Sequence, residues 1–284
     1  MDEGRTTSRP AEPTRHGALR VPRITATFWV IKGLSTAMGE VTSDYLVHAM
    51  SPVVAVLLGF VGFWVALAVQ VRRGRYTAWA YWLAVVMVGI FGTMAADVLH
   101  VALGVPYTAS SALYAVALAA VFVLWRRTEG TLSIHRIDSV RRELFYWAAV
   151  AATFAMGTAL GDLTAYTAHL GFLVSVVLFA ALIAVPALGY ARWGWGSVFS
   201  FWFAYVVTRP LGASVADWLA KPTITGGLGF GDGPVVVVIG VLIVGLVAWL
   251  TVDRRDVQGG EQERIDDDPA AGTPLASAAA DERR

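Results

Sequence analysis

The chain has 284 residues, no cysteine, and charge on only 15% of its positions. Without thiols there is no disulfide framework, no thiolate metal ligand and no cysteine nucleophile. A soluble domain would carry roughly 25% charged residues. That shortage, beside 56% apolar residues and a mean hydropathy of +0.59, implies an all-α polytopic membrane protein. Several enzyme signatures are missing as well. There is no P-loop, no dinucleotide glycine fingerprint and no His-Glu-x-x-His, and no Gly-x-Ser-x-Gly elbow. Neither an enzyme nor a cofactor is expected. The first apolar run begins near Val21 and already contains Lys32, Glu40 and Asp44. It has no evident cleavage site, so no removable leader is expected.

What is present is repetition. The pattern Trp-x9-Gly-x4-Asp occurs as Trp29/Gly39/Asp44, Trp82/Gly92/Asp97, Trp147/Gly157/Asp162 and Trp202/Gly212/Asp217. With 11 Trp, 28 Gly and 13 Asp in the chain, about 0.05 matches would arise by chance. Four matches mean four copies of one unit. Each copy lies in an apolar stretch long enough to span a bilayer, which takes about 20 residues. Eight such stretches can be placed, at roughly 24–48, 51–71, 78–103, 109–126, 143–168, 170–190, 195–220 and 233–252. They pair in order, and the motif always falls on the first of a pair. The predicted organisation is a tail over 1–23, an eight-helix membrane domain over 24–252 and a tail over 253–284. The repeats run at about 24–76, 77–141, 142–194 and 195–252. The tails are polar and read as disordered, and the glycine-rich stretch 226–233 reads as a flexible turn.

Basic residues set the orientation. The N-terminal tail, the loops between pairs and the Arg254-Arg255 pair after the last span hold 16 Arg, against Lys221 alone at the opposite end. The positive-inside rule therefore puts both termini in the cytoplasm. Every repeat then has the same polarity. The expected architecture is four parallel two-helix repeats, related by pseudo-symmetry along the membrane normal.

From Trp to Asp is 15 residues, about 22 Å of helix. Trp29, Trp82, Trp147 and Trp202 thus fall near one membrane interface, where belts of tryptophan form. Gly39, Gly92, Gly157 and Gly212 fall near mid-bilayer, where small residues let helices approach. Asp44, Asp97, Asp162 and Asp217 fall towards the outer third. Four carboxylates at equivalent depth point to one shared polar centre, because intramembrane charge is costly and usually functional.

The first repeat carries more. Lys32, Thr36, Glu40, Asp44 and His48 are spaced four apart, so they drift slowly around one side of a helix. That stripe cannot face lipid and is expected to face the bundle interior or a water-filled path. Lys32 and Glu40 are two turns apart, too far to pair directly, so their partners are expected on other helices or in a water. Arg209 holds the repeat position of Thr36 and is a candidate counter-ion for Glu40 or an Asp; Pro210 beside it should kink or open its helix. Glu40 and four Asp against Lys32 and Arg209 leave a formal −3, which attracts cations. Glu40, Asp44, His48, Asp97 and His100 are the candidate ligands should the cation be a metal, with His169 a further imidazole near a span end.

The opening Phe28-Trp29-x-x-Lys32-x-x-Ser35-Thr36-x-x-Gly39-Glu40-x-x-Ser43-Asp44-Tyr45, with the three later units, resembles a family of bacterial membrane proteins of unknown function. Its members contain four tandem two-helix repeats, each with a marked tryptophan, and have carried a label as membrane-anchored proteins affecting amylopullulanase regulation. The resemblance covers about residues 24–252 and implies the architecture and a bacterial inner-membrane location. The expected function is a transporter for a cation, with a divalent metal ion as one candidate. Lys32, Thr36, Glu40, Asp44, Asp97, Asp162, Arg209 and Asp217 would form the path or site. The expected partners are the bilayer and a small ion or solute, not nucleic acid. Two other readings stay open: a membrane regulator or anchor with a structural polar core, and an intramembrane enzyme acting on lipid.

Overall fold

The computed structural model describes residues 18–258. Eight long helices dominate: α1 (Ala26–Ala49), α2 (Pro52–Arg73), α3 (Ala78–Asp97), α4 (Tyr107–Glu129), α5 (Val140–Asp162), α6 (Gly171–Trp193), α7 (Ser197–Ala220) and α8 (Asp232–Asp253). All eight sit where the apolar stretches predict, within a few residues. Local chemistry sets the ends. The Thr25 hydroxyl accepts from Phe28 N–H at 3.2 Å to start α1, as capping residues do. α2, α4 and α6 each stop at a glycine in the left-handed region, Gly74, Gly130 and Gly194, a conformation that costs other residues a Cβ clash. Pro210 sits inside α7 without ending it.

Seven of the eight helices are long and apolar enough to cross a membrane. α1, which carries the polar stripe, falls short of that composition. Most of its stripe is buried: Lys32, Ser35, Thr36 and Ser43 are fully enclosed and Glu40 nearly so, while Asp44 is half-buried and His48 exposed. The apolar side chains of α2, α4, α6 and α8 instead point outward, as Leu57, Val116, Val177 and Val241 do. This inside-out arrangement suits a lipid surround.

The motif-bearing helices form a closed ring in which α1 packs on α3 and α7, and α5 packs on α3 and α7. The second helix of each pair does not lie mainly against its own first helix. α2 packs on α3, α4 on α5, α6 on α7, and α8 returns to cover α1. Each unit thus shields the next one round the ring.

Two parts of the motif become packing rules here. A Cβ built on Gly39 would lie 2.7 Å from the Gly89 carbonyl carbon, and one on Gly92 would lie 2.9 Å from Phe154 Cβ. One on Gly157 would meet Arg209, and one on Gly212 would meet Thr36. All four motif glycines therefore touch the residue seven after the tryptophan of the next unit, the last returning to the first. Replacing Gly39 by Ala should destabilise the protein by about 1–3 kcal/mol, because backbone is the obstacle and the helices must part. Gly33, on the same helix with nothing within 4 Å of its built Cβ, provides the control. Gly33→Ala should leave the detergent-solubilised melting temperature unchanged or slightly higher.

The tryptophans require a correction. Trp82, Trp147 and Trp202 are buried at 1%, 2% and 5% exposure, so they are not belt residues at a lipid interface; Trp29 is half-buried. Each packs on the aromatic residue that precedes the tryptophan of the unit before. The centroid distances are 5.6 Å for Trp82 and Phe28, 5.6 Å for Trp147 and Tyr81, 6.1 Å for Trp202 and Tyr146, and 5.8 Å for Trp29 and Phe201. Ring closure covers the rings before lipid can.

The tail boundaries also move. Residues 18–23 and 253–258 are packed rather than free. Arg20 N–H donates to the Ile137 carbonyl at 3.0 Å, Tyr76 N–H to that of Leu19 at 2.9 Å and Arg23 N–H to that of Asp256 at 2.7 Å. Arg20 also reaches the fully buried Glu143 at 2.7 Å, and Gln70 donates to the same carboxylate at 3.1 Å. Tyr76 donates to Asp256, whose carboxyl burial pushes above its ordinary value while this bond works the other way. The two described chain ends thus close the arginine-rich end of the ring together. The remaining tail residues, 1–17 and 259–284, lie outside the described residues.

Candidate functional site

Lys32 lies one turn inside the tryptophan layer. Its ammonium sits 4.1 Å from the ring centroids of both Phe154 and Tyr205, without a hydrogen-bond partner among the described residues. The expected partners on other helices exist, but they are aromatic faces of α5 and α7 rather than carboxylates. This sandwich joins α1, α5 and α7 inside the ring.

Next comes Arg209, fully buried. Its Nη2 lies 2.7 Å from Glu40 Oε2 on α1, 2.5 Å from Thr93 Oγ1 on α3 and 2.6 Å from Thr158 Oγ1 on α5. One nitrogen of α7 therefore ties all four inner helices together. With two hydrogens for three acceptors, it must share at least one of them. Glu40, Thr93 and Thr158 stand at the same position in their units, eleven after the tryptophan. The sequence offers Glu40 or an Asp as the counter-ion of Arg209, and the structure brings it to Glu40. Thr36 instead donates to the Gly33 carbonyl at 2.6 Å within its own helix and serves as the surface met by Gly212.

Beyond this belt the four motif aspartates mark the far end, or mouth, of the ring, five residues along each inner helix from the motif glycines. Lys221 Nζ lies 2.5 Å from Asp44 Oδ2 and 3.9 Å from Asp217 Oδ1. Burial opposes charge on Lys221, yet these two carboxylates hold its ammonium above the ordinary lysine value. Among the described residues Asp97 and Asp162 form no ion pair. Tyr107 and Tyr166 stack 6.3 Å apart, and His100 lies on Tyr107 at 3.6 Å.

The metal candidates change in membership. Oxygens of Glu40, Asp44 and Asp217 come within 4.8 Å of one another. His48 is instead exposed, 3.4 Å from Asp232, while His100 Nδ1 lies 2.9 Å from the Val105 carbonyl oxygen. Asp97 is outside the trio and Asp217 inside it. His169 is exposed, with a φ of 53°. Span-end histidines point where the chain turns, which spacing along one helix does not reveal.

Three functional features escape sequence reasoning. Directly after Asp97 and Asp162 the helices widen into π-helical turns, Val98–Ala102 and Leu163–Thr167, a feature that often marks functional sites. Lys221 is the second. As the lone basic residue at its end, four after Asp217, it carries a signal that the charge count passes over. The third is the glycine-rich stretch, which is hydrogen-bonded rather than loose. Leu228, Phe230, Gly231 and Gly229 N–H donate to the carbonyls of Trp218, Leu219, Ala220 and Lys221 at 2.6, 3.1, 3.1 and 2.9 Å. The last turn of α7 leaves those carbonyls open, and the glycines let the chain fold back close enough to fill them.

A family model described as a Repeat of Unknown Function (DUF347) matches residues 80–131, 145–193 and 200–256, together more than half of the chain. Each match begins two residues before a motif tryptophan, so the family's repeat and the motif share one register. The unit outside these matches is the first, which carries Lys32 and Glu40. No curated protein and no solved structure matches the chain.

Proposed function

We propose that this chain, which belongs to that family of repeats of unknown function, is a cation transporter of the bacterial inner membrane. In this reading all eight helices span, as four parallel two-helix repeats about an axis along the membrane normal, with both termini cytoplasmic. Ions enter at the aspartate mouth, and the aromatic sandwich around Lys32 is the barrier that must part. A divalent metal is one candidate cargo.

The observation that carries the reading is the pair Asp97 and Asp162. Carboxylates largely enclosed at the mouth without cations of their own are expensive to keep. A purely structural core has no use for them, whereas a cation path does. Asp97→Asn combined with Asp162→Asn should therefore abolish cation flux in proteoliposomes while the melting temperature stays level or rises. Flux that persists in the double variant sinks the transport reading.

The rival, a regulator or anchor with a structural polar core, draws on the Arg209 nitrogen that joins four helices. It predicts the opposite pattern for the same variant, a lower melting temperature and no ion-dependent phenotype.

A further inference from the structure

The mouth already holds a cation, and it belongs to the chain. Lys221 leaves the end of α7 and turns its ammonium onto Asp44 of α1 and Asp217 of α7. The turn that carries it is built for this placement. Four fold-back bonds fix residues 218–221, and a Cβ on Gly227 would strike the Lys221 carbonyl. The side chain is nonetheless 21% exposed, so solvent reaches the pair from outside.

A free divalent ion is poorly matched to the same place. Of the three carboxylates that approach one another, Glu40 is committed to Arg209 and is 4% exposed. Two carboxylates remain, which is the set an ammonium uses, whereas hard divalent ions take about six oxygens or retain their water. His100 and Tyr166 follow Asp97 and Asp162 by about one turn and Tyr107 stacks on both rings, and aromatic faces attract organic cations.

We propose that the Asp44–Asp217 pair recognises protonated primary amines, and that Lys221 is a tethered alkylammonium that occupies the pair at rest and leaves when a free amine enters. The inference narrows the cargo of the transport reading and rests on it for its biological meaning. Its test reads binding alone, so the two can fail separately. Loss of flux dependence on Asp97 and Asp162 would remove transport and leave the amine site standing. Absence of amine binding would remove only the amine site.

Lys32 and Lys221 are the chain's two lysines, so 15N-lysine labelling gives an interpretable side-chain spectrum of the whole protein. Titrating n-propylammonium into the wild type should shift the Lys221 ammonium signal saturably and leave Lys32 in place; Mg2+ should not. Lys221→Ala deletes the atoms of a propylammonium. Its melting temperature should drop, and added n-propylammonium should restore it by about 5 °C at a hundredfold excess over its dissociation constant. Asp44→Asn/Lys221→Ala, which lacks one anchor, should lose that response. A Lys221 signal that the amine leaves in place, or that Mg2+ moves as readily, overturns the proposal.

Discussion

Glu40→Ala should lower stability by about 3–5 kcal/mol, enough to remove most folded protein from the membrane, because it strands Arg209 as an uncompensated buried charge. Arg209 is fully enclosed, and its guanidinium Nε and Nη1 already lack partners among the described residues, so it has no alternative acceptor for the lost carboxylate. Thr93 and Thr158 would remain as neutral acceptors, which hold a cation less strongly than a carboxylate. Glu40→Leu with Arg209→Met removes both charges and fills similar space. That double variant should regain most of the loss, giving a coupling of several kcal/mol in a double-mutant cycle. Reversible unfolding in mixed micelles measures it. Additive losses from the two single changes would show that the pair does not hold the ring together. The same experiment separates Glu40 from Asp97 and Asp162, whose removal should cost no stability. Carboxylates on one axis thus divide into a structural one and two that the fold does not need.

Much of this arrangement is legible in the sequence, and the reason is periodicity. Trp-x9-Gly-x4-Asp repeats without a gap, so equivalent residues reach equivalent depths whatever the helices pack against. The stripe from Lys32 to Asp44 has to face inward because lipid cannot solvate it, and Arg209 stands on another helix at the right depth to meet Glu40. What escapes depends on neighbours. A tryptophan at a helix start suits a lipid interface and an aromatic core equally well. The choice falls to Phe28, Tyr81, Tyr146 and Phe201, which come from the adjacent unit. Helix pairing by chain order likewise fails to reveal that α2 shields α3 rather than α1. Composition places Arg20 and Asp256 in tails, since nothing local announces that Glu143 and Tyr76 await them. A charge count uses Lys221 for orientation alone, because its partners lie 177 residues back and on its own helix.

Deleting α8 should abolish folded protein altogether, although it carries none of the charged site residues. α8 is the cover of α1, the helix least able to face lipid. Val235, Ile239 and Ile243 of α8 are buried, Gly240 lies against Met38, and Gly233 against Tyr45. Without them, one flank of the stripe-bearing helix meets hydrocarbon directly. A chain ending at residue 231 should be degraded on expression, whereas one ending at 258 should accumulate and melt like the full-length protein, as read by fluorescence-detected gel filtration. Rearranging the chain separates loss of the cover from loss of chain order. Arg23 N–H meets the Asp256 carbonyl at 2.7 Å, and Gln258 donates to the carbonyls of Val21 and Pro22 at 3.2 and 2.9 Å, so the two described ends already touch. Joining residue 258 to residue 18 and opening the chain at Gly74, between α2 and α3, keeps every helix and its cover. In a ring where each outer helix shields the next inner one, any link between units is as dispensable as another once the contacts are kept. That permutant should therefore fold and melt close to the parent. Its failure, beside a folded chain ending at 258, would mean that α8 meets α1 only because insertion order places it there.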